Sequence, residues 1–214
     1  MGQQRVRVQN FTVTEDGYGS GRGQSAEAPF GDLDVGRLMS WVGGTASWTY
    51  RDGPGGSRGL DDLFVRDFEH GIGVEVMGRN KFGPVRGPWP DEEWRGWWGD
   101  EPPFHAPVVV MTHHPRPSFT LADTTFHFRS GEPADVLAEA RELAGGLDVR
   151  IGGGVATVRA FLDAGLVDDL HVVVAPLTAG GGEWLWESPA DLEDRYEHEA
   201  VPSPSGVVHH LFWR

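Results

Sequence analysis

Asp148 to Gly182 reads "DVRIGGGVATVRAFLDAGLVDDLHVVVAPLTAGGG". A short apolar strand runs into Gly152, Gly153 and Gly154, a helix follows, and a second apolar strand follows the helix. Glycine costs about 0.5–1 kcal/mol inside a regular element, so three in succession need a reason. Two are open. The glycines can let a phosphate approach a cradle of main-chain N–H groups at a helix N-terminus, or they can serve a tight turn at positive φ with no ligand. The next residues, Val155, Ala156 and Thr157, do not complete G-x-G-x-x-G, and no suitably placed acid marks a standard dinucleotide site.

Working outward, the helix after the glycines has Val155, Val158, Phe161 and Leu162 at inward spacing. Two further strand ends carry polar groups. "VEVMGRN" ends in Gly78 and Arg79, and "VVVMTHHPR" ends in Thr112, His113, His114 and Arg116. Ligands of open α/β sheets bind at the carboxyl ends of strands. An arginine and a hydroxyl at such an end suit a ribose 2′-phosphate, which favours NADP over NAD.

Strands and helices alternate through the middle of the chain. "EPADVLAEARELAGG" reads as a helix, "LDVGRLMSWV" as a short helix, and "LDDLFVRDFEHG" as an amphipathic helix with Leu60, Leu63, Phe64 and Phe68 on one stripe. Thr14–Gly31 and Gly44–Gly59 read as loops. "RYEHEAVPSPSGVVHHLFWR" reads as two strands about the turn Pro202–Gly206. The expected fold is α/β, with a mainly parallel sheet and an antiparallel C-terminal hairpin, in one domain spanning 1–214.

The chain has 214 residues and 39% hydrophobic residues, enough for a full core. Its net charge of −14 argues against nucleic-acid and anionic-membrane partners. No run of about 18 apolar residues and no signal-peptide h-region is present, so a cytoplasmic location is expected. There are no cysteines, hence no thiol nucleophile and no cysteine-based zinc site. Lys81 is the sole lysine, which excludes most lysine chemistry. No H-E-x-x-H occurs, and the adjacent His209 and His210 face opposite sides of a strand, so no metal site is expected.

"FTVTEDGYGSG", "VMGRNKFGP", "VVVMTHHP" and "IGGGVATVRAFLDAGLVDDLHVVVAPLTAGGG" together resemble, in order, the dihydrofolate-reductase-like superfamily. Within it the chain resembles the reductase domain of bifunctional riboflavin-biosynthesis deaminase-reductases. Asp169 stands where that family usually has Glu. The resemblance implies a three-layer α-β-α fold and NADPH as cofactor. It assigns the phosphates and adenosine half to Gly78, Arg79, Thr112, His113, and Gly152 through Val155 and Ala156 to Thr157, and the strand-end Arg116 is a further candidate for cofactor binding. It places the loop with Val13, Thr14, Gly17 and Tyr18 over the nicotinamide.

The implied reaction is hydride transfer to a small heterocyclic (pterin- or ribosylaminopyrimidine-like) or carbonyl substrate. A non-catalytic module holding a nucleotide, flavin or drug on the same fold is the alternative. Asp16 is the candidate catalytic acid, or else an Asp-Gly turn former. Asp61 and Asp62 read as N-terminal capping residues. Phe30, Trp89 and Trp94 are candidates to stack on a flat substrate, or else lid residues packed on the core. The C-terminal strands, read as edge strands with Val207, Val208, Leu211, Phe212 and Trp213, suggest a homodimer.

Overall fold

The computed structural model describes residues 4–50 and 53–214. Met1–Gln3 of the leading segment, and Arg51 and Asp52 of the expected Gly44–Gly59 loop, lie outside the described residues.

The chain begins with β1 (Val6–Thr14), β2 (Tyr18–Ser20), α1 (Val35–Leu38), α2 (Ser40–Gly43) and α3 (Leu60–Arg66). Next come β3 (Ile72–Gly78), α4 (Arg79–Phe82), β4 (Val108–Met111), β5 (Phe119–Leu121), β6 (Thr124–Arg129) and α5 (Pro133–Leu143). It ends with β7 (Asp148–Gly153), α6 (Val155–Asp163), β8 (Asp169–Ala175), β9 (Glu183–Trp184), a 3₁₀ turn at Pro189–Leu192, β10 (Glu197–Pro202) and β11 (Val208–Trp213). The main sheet runs β10-β11-β8-β1-β7-β3-β4-β6-β5. β1 with β7, β7 with β3, β3 with β4 and β4 with β6 are parallel pairs. β5 is antiparallel to β6, and β11 is antiparallel to both β8 and β10. This is the mixed α/β sheet with an antiparallel C-terminal hairpin that the sequence leads one to expect.

The contacts divide the chain into two compact units. The first comprises Met1–Val8, Gln24–Pro29 and Gly71–Asp168. Its core holds Met77, Phe82, Val108, Val110, Leu121, Phe126 and Phe128, with Trp89, Trp94 and Trp98 packed on it. Val108, Val109 and Val110 are fully buried in succession, as a parallel strand covered on both faces requires. Val155, Val158, Phe161 and Leu162 of α6 are buried at helical spacing. The second unit comprises Gln9–Gly23, Phe30–His70 and Asp169–Arg214. Its core holds Leu33, Leu38, Trp41, Val42, Val173, Ala175, Leu177 and Val207.

Three expectations need correction. The "LDVGRLMSWV" helix is two single turns, α1 and α2, broken at Met39. α3 buries Asp61 and Asp62 while Leu63 is exposed, so its polar side faces inward. The carboxylates can be buried because each has a hydrogen-bond partner: His209 Nε2 meets Asp61 at 2.8 Å, and the Ser47 amide donates to Asp62 at 2.7 Å. Finally, β11 is not an edge strand, since it lies between β10 and β8. Val207 and Phe212 are buried in the second unit, and only Trp213 of the five apolar residues is exposed. The edge is β10, whose exposed Glu197, Glu199 and Pro202 blunt strand addition.

Candidate functional site

In the first unit, the three glycines of the triplet stand in different surroundings. A side chain at Gly152 would overlap the Glu75 carboxylate and meet Lys81 Nζ at 2.7 Å. Gly153 ends β7 at φ +110°, where L side chains are strained. The Gly153–Gly154 peptide is cis. Gly154 is the N-cap of α6 at φ −64°, a conformation open to any residue. A side chain there would meet nothing within 4 Å. The protein itself therefore makes no demand for space at Gly154, and the opening lies at a helix N-terminus.

Gly78, at the end of β3, faces the same junction. A Cβ on it would overlap Thr157 Oγ1 and lie 3.6 Å from the Gly154 nitrogen. Residues 76 or more apart in sequence thus converge on one backbone surface. Val155 is buried, Ala156 is exposed and Thr157 is half-buried.

The chain then places Arg79 3.7 Å above the Trp89 ring, with Nη1 donating to the Gly87 carbonyl at 2.5 Å. Arg116 lies 4.6 Å from the rings of both Trp89 and Phe128 and donates to the Trp94 carbonyl. Nε and Nη2 of Arg79, and Nε and Nη1 of Arg116, are buried with no hydrogen-bond partner among the described residues. Burial depresses both guanidinium pKa values; at Arg116 the carboxylates of Glu92 and Asp91 oppose this and the charge of Arg79 adds to it. A buried donor left unmade costs about 1–3 kcal/mol, so the pair is chemically suited to an anion.

Trp89 Nε1 donates to the His114 carbonyl at 2.7 Å, and Trp94 Nε1 to the Phe82 carbonyl at 3.0 Å. Both indoles pack on the core, and the Trp89 ring carries the two arginines. Thr112 is buried and accepts the His114 amide at 3.1 Å, while His113 is exposed.

The loop after β1 belongs to the second unit. Val13 and Thr14 are fully buried, and Gly17 sits at φ +83°. Thr14 Oγ1 donates to Asp16 at 2.6 Å and accepts the Tyr18 amide at 3.0 Å. The amides of Ala179 and Gly180 donate to Asp16 at 3.0 and 2.8 Å. Burial raises the Asp16 pKa, but these hydrogen bonds together outweigh it and hold the carboxyl below its ordinary value. Its lone pairs tie the two loops together. Phe30 packs on the second unit's core, and Trp89 and Trp94 pack on the first unit's.

Two buried polar clusters escaped the sequence reading. In the first unit, Glu75 Oε2 pairs with Arg150 Nε at 2.5 Å and Oε1 with Lys81 Nζ at 2.7 Å. The lone acid in the apolar strand "IGVEVMG" was the available signal. In the second, Asp61, His209 and His171 form a chain, with the two imidazoles 2.9 Å apart. Nothing local links those three residues.

No curated protein matches the chain. A putative riboflavin biosynthesis protein from Shewanella sp. PV-4 is similar in structure at 19% identity and TM-score 0.56, covering 100% of this chain and 99% of that one. Dihydrofolate reductase from Enterococcus faecalis, solved with NADP(H) and RAB-propyl, gives 14% identity and TM-score 0.50, covering 99% and 96%. The diaminohydroxyphosphoribosylaminopyrimidine deaminase/5-amino-6-(5-phosphoribosylamino)uracil reductase of Thermotoga maritima gives 12% and 0.50, covering 99% of this chain and 57% of that one. These likenesses show a dihydrofolate-reductase-like fold. The RibD C-terminal domain model matches residues 8–199, and the chain belongs to that family.

Proposed function

We propose that the protein is an NADPH-dependent reductase that passes hydride to a small heterocyclic or carbonyl substrate. The observation that carries this reading is the open position at Gly154, beside Gly78 and Thr157, at the N-terminus of α6. Main-chain amides there suit a pyrophosphate. The unpartnered nitrogens of Arg79 and Arg116 suit a 2′-phosphate, and Trp89 holds the guanidinium of Arg79 in place. The cofactor supplies the hydride; the chain's residues bind and orient it. The deaminase-reductase and the dihydrofolate reductase similar to this chain support the reaction type.

The test is titration of tryptophan fluorescence with NADPH and NADH. NADPH binds more tightly than NADH, and Arg79→Gln removes about tenfold or more of that preference, the worth of one charge-assisted contact. A wild-type protein indifferent to millimolar NADPH rejects the proposal. The engagement of Asp16 by Thr14, Ala179 and Gly180 favours a second reading, a binding module without turnover. NADPH oxidation across pterins, ribosylaminopyrimidines and quinones separates the two.

A further inference from the structure

Lys81 is the only lysine of the chain, and neither packing nor the proposed phosphate contacts account for it. It lies in α4, one turn past Gly78. Its Nζ donates to Glu75 Oε1 at 2.7 Å and to the Gly152 carbonyl at 2.8 Å. Glu75 and Arg150 are 1% and 2% exposed, and Arg150 already supplies Glu75 with a buried counter-ion. A second cation is not needed to keep that carboxylate ionised. Lys81 is different in kind: its side chain is 29% exposed, and its two hydrogen bonds leave one N–H of three unused.

The placement is specific. A Cβ at residue 152 would overlap the Glu75 carboxylate and come within 2.7 Å of the Lys81 ammonium, so the first glycine of the triplet leaves room for the pair. Glu75 and the Gly152 carbonyl fix it in position. An ordered ammonium has lost its rotamer freedom before a ligand arrives, which favours binding. It also adds a full positive charge to a surface that otherwise offers only peptide dipoles.

We propose that Lys81 is a binding residue for the pyrophosphate that the glycine junction receives, positioned for it by Glu75. This inference rests on the NADPH reading above. The phosphate group is met on one side by the amides after Gly153 and on the other by the Lys81 ammonium.

Because there is one lysine, protein grown with ¹³C,¹⁵N-lysine gives one lysine spin system that needs no assignment. Its side-chain signals move on adding NADPH and stay in place on adding adenosine 2′-monophosphate, which has no pyrophosphate. Lys81→Met weakens NADPH about tenfold, the worth of a charge-assisted hydrogen bond. It changes adenosine 2′-monophosphate less than about twofold, and Lys81→Arg recovers most of the NADPH loss. An unmoved lysine signal in protein saturated with NADPH overturns the proposal. So does a Lys81→Met variant that loses both ligands equally, which marks a structural role. A wild-type protein that binds adenosine 2′-monophosphate but not NADPH, or neither, rejects the cofactor reading itself. The labelled wild type gives its answer even if Lys81→Met does not fold.

Discussion

Each unit of the protein buries one carboxylate cluster, and the two are built from different chemistry. Glu75 is flanked by the Arg150 guanidinium and the Lys81 ammonium. Asp61 is flanked by His209, which meets His171 in turn. Hydrogen bonding fixes the proton positions of the second cluster. The Asn10 amide points at His171 Nδ1 at 3.4 Å, which leaves the His171 proton on Nε2. That proton is donated to His209 Nδ1, and His209 Nε2–H is donated to Asp61. The chain is complete with both rings neutral. A further proton sets two N–H groups against each other or displaces the Asn10 amide. One carboxylate is thus held by two cationic side chains and the other by neutral donors that acid can disrupt.

The strongest way to break the comparison is Glu75→Gln. It removes the charge between Arg150 and Lys81 at a site of 1% exposure. Losing one member of a buried ion pair costs about 3–5 kcal/mol. Urea unfolding at pH 7 measures it; a loss below about 1 kcal/mol, the range of surface pairs, would mean the cluster behaves as if exposed.

Acid sharpens the contrast. Burial pushes the His171 pKa down to about 3, and the charges of His209 and His210 add to it. Burial also lowers His209, partly opposed by Asp61. Burial raises Asp61, but the neighbouring serine hydroxyls and the His209 hydrogen bond bring it below its ordinary value. Glu75 likewise is raised by burial and brought below its ordinary value by Arg150 and Lys81. A depressed imidazole binds its proton more readily in the unfolded chain. Its stability contribution is therefore complete above pH 6.5 and declines as pH falls toward the folded value. The depressed carboxylates lose theirs only below about 4.5 for Glu75 and 3.8 for Asp61. Between pH 6.5 and 4.5 the imidazole cluster alone of the two weakens, by up to about 1.4 kcal/mol per pH unit per ring. His127 and His210 are also depressed, so the comparison is with His171→Asn, whose denaturation slope against pH is shallower by up to one proton. Equal slopes would show that His171 is not held neutral.

The same contrast explains what the sequence reveals. The buried faces of α6 and β4 are legible because apolar residues repeat at 3.6 or run without interruption. α3 is not, because its inward residues are Asp61 and Asp62, and periodicity counts acids as outward. What reverses that rule is His209, 148 positions away. The glycine triplet announces a junction, and three polar strand ends mark the site proposed for the cofactor. The reason for Gly152 lies with the Glu75 carboxylate and Lys81, 77 and 71 positions away, and neither shares a local pattern with it. Trp89 and Trp94 are legible as aromatic packing; that one of them underlies two arginines depends on how an irregular segment returns to the sheet.

A third carboxylate tests whether burial or the number of hydrogen bonds sets these costs. Asp16 accepts bonds from the Thr14 hydroxyl and the amides of Ala179 and Gly180, more partners than the structure gives Glu75, yet it is only half-buried. Asn at this position keeps the shape but turns one acceptor oxygen into an NH₂, which must face an amide donor. One or two bonds are lost where water can replace them. The expected cost is about 0.5–1.5 kcal/mol, well below that at Glu75. Urea unfolding of Asp16→Asn beside Glu75→Gln measures both on one scale. If Asp16→Asn costs as much as Glu75→Gln, hydrogen-bond count rather than exclusion from water governs the carboxylates of this fold, and the distinction drawn between its two clusters loses its physical basis.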